Sequence, residues 1–150
     1  SLSGWVYGWI SFNGISTSSA AYSAAANLIL TGADAPKVAG TKVRISVSGR
    51  ARMETSGAPG GLGVRIRDMT AGGTPTVAEF DNAAAGGLAT AINSGWYIPG
   101  VSTGWEVGVS FEVEYVIPAA GARTFRIEIK RLTSANTRLH AAMVITGSGS

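Results

Sequence analysis

The sequence predicts an all-β protein, an antiparallel β-sandwich or barrel of seven or eight short strands. Three observations point there. Apolar and polar residues alternate with period two along most of the chain, the pattern of strands with one buried face. The alternating runs are cut by turns rich in Gly, Pro and Asn. No stretch carries a convincing 3.6-residue period over the length of a long helix. The 150 residues fit one domain, assigned as 1–150, with 1–32 as an N-terminal arm or a strand packing on a neighbouring subunit. A domain of this size buries roughly 68–70% of its unfolded surface, so a core forms without staples.

The elements follow in order. "GWVYGWISFNG" (4–14) is a strand with Trp5, Tyr7 and Trp9 on one face and Val6 and Ile10 on the other. Two apolar faces imply cover on both sides, from the core or from another chain. "ISTSSAAYSAAANLILTG" (15–32) reads as irregular, ending in a short strand near Leu28–Leu30. "GTKVRISVSGRARMETSG" (40–57) sends Val43, Ile45, Val47, Ala51 and Met53 inward, and Gly49 marks a candidate bulge. "APGG" breaks the chain, and Leu62, Val64 and Ile66 face in from the strand at 62–70. A strand at 76–80 is followed by a loop with one short strand (81–95) and an extended stretch at 96–100, where Pro99 disfavours helix. "WEVGVSFEVEYVIPAAGARTFRIEIKR" (105–131) alternates most cleanly. It reads as a hairpin closed by "PAAGA", with Phe111 in the core and Glu114 beside Arg126 on the exposed face. The last strand, 137–147, has Leu139, Ala141, Met143 and Ile145 on one face and His140, Ala142 and Val144 on the other.

Composition narrows the function. There are no cysteines, so disulfides and thiolate metal sites are out of reach. Only 14% of residues are charged, and the formal charge is +3. Basic residues alternate along strands as solvated faces do, which argues against a nucleic-acid partner. No apolar run approaches the ~20 residues of a membrane span, and "SLSGWVYGWI" lacks the basic segment of a secretory leader.

Reactive chemistry is sparse. His140 is the single histidine, and no G-x-S-x-G nucleophile motif accompanies it. Glu112 and Glu114 have the spacing of a carboxylate pair that a glycosidase would use, but pairing with Arg126 and Lys130 of the next strand is the simpler account. "SGAPGGLGV" (56–64) lacks the G-K-[ST] ending of a phosphate loop and precedes a strand, so it reads as a hairpin loop. Asp34, Asp68 and Asp81 are scattered, without a calcium-loop run. No catalytic residue, cofactor or metal is expected, and the protein reads as non-enzymatic. The aromatics point to burial, in the core or between subunits, and the candidate interface residues are Trp5, Tyr7, Trp9, Trp96, Tyr97, Ala142 and Val144. The alternative for Trp5, Trp9, Trp96 and Trp105 is stacking on sugar faces.

Three stretches, "GTKVRISVSGRARM", "VRIRDMTAGGTPTVAEF" and "VEYVIPAAGARTFRIEIKR", resemble jelly-roll structural proteins of tailed-bacteriophage particles, similar in architecture to C1q and tumour-necrosis-factor heads. The turns "RDMTAGG" and "PAAGARTF" carry the resemblance, which covers roughly 40–147. It implies an antiparallel jelly-roll β-sandwich of about eight strands, a homotrimer with a virion structural role, made in the host cytoplasm. No shaft or coiled coil precedes the domain in this sequence, which favours a capsid decoration (cement) protein over a fibre tip. Its expected partners are further copies of itself and the major capsid protein or another virion protein. A tail or fibre-associated module recognising host-surface glycans is the alternative.

Overall fold

The computed structural model describes residues 6–55, 57–81 and 95–147, with the backbone alone at 13–17. Among them are nine strands: β1 (Val6–Thr17), β2 (Ser23–Leu30), β3 (Lys42–Met53), β4 (Gly60–Asp68), β5 (Thr76–Phe80), β6 (Trp96–Ile98), β7 (Glu106–Val116), β8 (Arg123–Arg131) and β9 (Thr137–Gly147). One short 3-10 turn, Gly32–Asp34, lies between β2 and β3. Trp5 and the short strand expected within 81–95 fall outside the described residues.

The strands form two antiparallel sheets. Sheet A runs β1-β9-β3-β7, and sheet B runs β2-β8-β4-β5, with the short β6 sharing the β4 edge with β5. With β6 set aside, eight strands remain in the order first-eighth-third-sixth over second-seventh-fourth-fifth. That is the jelly-roll connectivity, as expected. In it, β4 and β5 are the one pair of consecutive strands that also lie side by side; every other connection among the eight crosses between sheets.

This connectivity corrects the hairpin expected at 105–131. β7 pairs with β3 in sheet A, while β8 pairs with β2 and β4 in sheet B. Glu114 therefore lies opposite Arg44, and Arg126 lies opposite Asn27 and Arg67. The reason is physical. Two consecutive strands, each with one apolar face, satisfy burial equally well side by side or face to face across a core. Alternation specifies faces, not neighbours. The "PAAGA" segment is thus a crossover. Its Gly121 adopts φ +111°, a region open to glycine, and its N–H donates to the Pro36 carbonyl at 2.9 Å. Likewise β3 and β4, joined through the expected hairpin loop, lie in different sheets.

The inward rows of β3, β4, β8 and β9 bury as expected. Val43, Ile45, Ala51 and Met53 meet Leu62, Val64, Ile66, Ile127, Ile129, Leu139 and Met143 in one core, each fully buried. Val109 and Ile117 join them from β7 and its end, but Phe111 is only partly buried. β7 is the edge of sheet A, so its inner face is covered on one side alone. Phe111 packs instead with Phe80 and Trp96, at ring-centroid distances of 4.4 and 5.7 Å. Gly49 is not a bulge: β3 keeps unbroken register with both β7 and β9. A Cβ there would lie 1.9 Å from the His140 carbonyl oxygen, so glycine is needed for close approach of two backbones. β2 extends the expected short strand back to Ser23, because pairing with β8 orders the Ser/Ala-rich stretch.

Candidate interaction surface

The outer face of sheet A is built in rows across four strands. Trp9 of β1, Val144 of β9, Ser46 of β3 and Glu112 of β7 stand in register, followed by Ser11, Ala142, Ser48 and Ser110. The next row places His140 beside Arg50, and the one after it Arg138 beside Arg52 and Glu106. This face is apolar at β1, small in its middle and charged toward β7. Trp9 is 65% exposed and Val6 49%, while Ala142 and Val144 are half-buried beside them. Ion pairs close the charged part: Arg44 to Glu112 at 3.2 Å, Arg50 to Glu106 at 2.8 Å, and Arg138 to Glu54. Ser46 Oγ also donates to Glu112. Burial, with Arg50 and Arg138 nearby, holds His140 below the usual histidine range.

The aromatic residues expected at an interface separate. Tyr7 is buried in the core, and Trp9 points the other way. A register shift between Val6 and Gly8 puts one extra residue into β1, which flips the parity that joined them. Trp96 is partly buried, with its ring 5.6 Å from Phe80, and Tyr97 beside it is partly buried too. Trp105 is 52% exposed and lies over Gly100, where a Cβ would meet its indole at 2.1 Å.

The outer face of sheet B is a charge network. Glu128, almost fully buried, receives Arg65 at 2.6 Å, Arg67 at 3.7 Å and Arg126 at 3.9 Å. Lys130 pairs with Asp81 at 3.0 Å. The Tyr22 ring lies under Arg65 and Lys130, at 4.2 and 4.5 Å. Burial, then the charges of Asp81 and Glu79, raise its hydroxyl well above the usual tyrosine range. The correction to Glu112, Glu114, Arg126 and Lys130 follows: the acids belong to sheet A and the bases to sheet B.

A second polar cluster was hidden from alternation. Asp68, at the end of β4, accepts from Arg123 Nη2 at 2.8 Å and from the Tyr115 hydroxyl at 2.6 Å. Its other oxygen accepts the N–H groups of Thr70 and Ala71, and Arg123 Nη1 donates to the Ala119 carbonyl. Burial alone would raise the Asp68 carboxyl, but these donors hold it below the usual carboxylate range. Burial and the bond to Asp68 push Tyr115 up to about 12. Among the described residues, no three His, Cys, Asp or Glu side chains gather as a metal site.

No family model matches the chain, and no curated protein matches it in sequence. Among solved structures it is similar to the Gx strain of infectious bursal disease virus, with a TM-score of 0.43 and 11% identity over 95% of this chain and 33% of that one. The mutant VP2 protein of that virus in derived T=1 particles gives 0.43 and 14%, over 94% and 32%. The CBM22-1 xylan-binding domain from Paenibacillus barcinonensis gives 0.38 and 14%, over 100% and 99%. The chain spans about a third of the length of the viral chains.

No Asp, Glu, Lys, Arg or His occurs before Asp34, and that run supplies both β1 and β2.

Proposed function

We propose that this chain is a non-enzymatic virion structural protein, a homotrimeric decoration protein that binds a capsid shell and opposes its expansion. The observation that carries the reading is Trp9, 65% exposed, in register with Val144 outside a core that is already closed. Folding does not require an indole there, and a contiguous exposed apolar patch rimmed by polar residues marks an interaction surface. Burying such area contributes roughly 25 cal/mol per Å². Buried between copies seated on the shell, that area must be given up if expansion separates them. The turns "RDMTAGG" and "PAAGARTF", on which the phage resemblance rests, meet through Asp68 and Arg123, so the motif forms one physical unit. Of the two acids at the carboxylate-pair spacing, Glu112 is engaged with Arg44 and Ser46.

Electron microscopy of intact particles from the source, labelled with an antibody to this chain, tests the reading. Label over the head shell is the expected result. Particles without label overturn it, and label at the tail favours the second reading. That reading, a tail-associated glycan-binding module, draws on the exposed rings of Trp9 and Trp105. It predicts saturable quenching of tryptophan fluorescence by host-surface oligosaccharides, lost in Trp105→Ala.

A further inference from the structure

Residues 1–33 carry no charge, and the fold gathers the described part of that run, from Val6 on, onto one side of the sandwich. β1 is the edge of sheet A and β2 the edge of sheet B. The two strands stack: a Cβ on Gly8 would lie 2.7 Å from Leu30 Cδ2. Among the described residues, this side therefore presents two open strand edges with neutral side chains. Val6, Trp9 and Ile29 are 49%, 65% and 60% exposed, with Ser11 and Ala24 exposed among them. The opposite side differs. There β7 presents Glu106, Glu112 and Glu114, and β5 presents Glu79 with Asp81 just beyond.

Open edges template the addition of further strands, and proteins that stand alone blunt them with charge, proline or bulges. The β7 side follows that rule with charge. On the β1 side there is neither charge nor proline, since the first proline is Pro36. Register shifts interrupt β1 between Val6 and Gly8 and between Asn13 and Ile15, leaving Gly8–Asn13 regular. That regular stretch holds Trp9 and Ser11.

We infer that the β1/β2 side is where a second copy of this chain docks, with the β1 edge over Gly8–Asn13 against the neighbour. Neutrality selects the occupant. A different partner gains on-rate and specificity from complementary charge, which this side lacks. In a closed symmetric assembly, residues near an axis meet their own copies. A charge there would face the same charge, a destabilising arrangement. A side with no charge at all avoids this, and leaves the charged faces to solvent and to other partners. The inference rests on the self-associating reading above and names the side that does it.

Light scattering on the full chain at micromolar concentration tests it. Ser11→Lys and Ile29→Lys each put one cation at an exposed position of β1 or β2 without touching the core. Ser110→Lys puts the same charge on the exposed face of β7. Circular dichroism melts accompany all three, and the two independent β1/β2 variants guard against one that fails to fold. The native protein and Ser110→Lys should show the mass of a multimer. Ser11→Lys and Ile29→Lys should weaken association by about tenfold or more. If the native chain is a multimer that Ser110→Lys dissociates while the other two leave it intact, this inference fails and the structural reading stands. A native chain that remains a monomer overturns both.

Discussion

Asp68 and Arg123 meet at 2.8 Å with side chains 0% and 2% exposed, and they come from the two turns most distant in character from the alternating strands. Asp68 ends β4 and organises the turn after it through Thr70 and Ala71. Arg123 starts β8 just after the "PAAGA" crossover and holds its Ala119 carbonyl. Tyr115 reaches across from sheet A to the same carboxylate. The cluster thus ties both sheets together at the end of the sandwich where the chain changes sheets.

Asp68→Ala is expected to destabilise the protein by about 3–5 kcal/mol, because it leaves the Arg123 guanidinium buried without its counter-charge. Removing Glu112, whose bridge to Arg44 is 57% and 43% exposed at the two side chains, should cost less than about 1 kcal/mol. Urea titrations of both variants measure the contrast. Equal losses would mean the buried cluster is not a structural tie.

Stability should fall at both ends of the pH scale. Asp68 sits below its unfolded value of about 3.9. It thus contributes stability that is present above that pH and lost as pH falls through the folded value. Asp81, lowered by its bond to Lys130 against the opposing effect of burial, acts in the same direction. Tyr115, pushed up to about 12, contributes below its unfolded value of about 10 and loses that contribution as pH climbs toward 12. The urea midpoint should be flat from roughly pH 7 to 9 and begin to fall below about pH 6.5, where the unfolded chain protonates His140 more readily than the folded one does. Asp68→Asn should make the acid limb shallower and Tyr115→Phe the alkaline limb. An alkaline limb untouched by Tyr115→Phe would contradict the assignment.

What the sequence made legible was the set of faces. Val43, Ile45 and Val47, or Leu139, Ala141 and Met143, are inward because period two has one physical meaning where one side is wet. Strand neighbours were less legible, since Glu114 and Arg126 alternate as well across a crossover as along a hairpin. The jelly-roll order itself separates them, because it sends β7 and β8 to different sheets. One inserted residue at Tyr7 was enough to split Tyr7 from Trp9, and no local pattern announces such a shift. The Asp68 cluster was illegible for another reason. A buried ion pair 55 positions apart in sequence has no period, and each partner alone looks like a turn residue. The surface signal was the reverse case: a missing residue class over 33 positions, visible at once but meaningless until β1 and β2 fell on the same side.

Gly49 and Gly108 should respond oppositely to alanine. Gly49 has the His140 carbonyl oxygen 1.9 Å from where a Cβ would sit and Ala141 Cα at 2.6 Å. Both are groups of the neighbouring strand, so β3 and β9 must part. The cost is expected at about 1–3 kcal/mol or more, as for other overpacked sites. Gly108 on β7 has nothing within 4 Å, and alanine there should stabilise by about 0.5 kcal/mol through reduced unfolded-chain freedom. Thermal melts in which Gly49→Ala matches the wild type would show that the two strands are not in close contact.

Phe125 and Phe111 test which aromatic the core depends on. Sequence alternation puts both inward, but burial divides them. Phe125 is 0% exposed on the inner strand β8, edge-on to Tyr115 at 5.8 Å and 89°. Phe111 lies on the edge strand β7, partly open to solvent, in a cluster with Phe80 and Trp96. Truncating a fully enclosed ring leaves a cavity, so Phe125→Ala should cost about 3–5 kcal/mol. Truncating Phe111 removes contacts on one side and lets water reach the other, so its cost should be smaller, about 1–3 kcal/mol. Ser110→Ala, on the exposed face of β7 next to Phe111, should stay within about 0.5 kcal/mol. Denaturant unfolding of the three variants ranks them directly. Phe111→Ala falling below Phe125→Ala would place the true centre of the core under β7 and require its inner face to be covered in solution, as it would be if a neighbouring chain closed that edge.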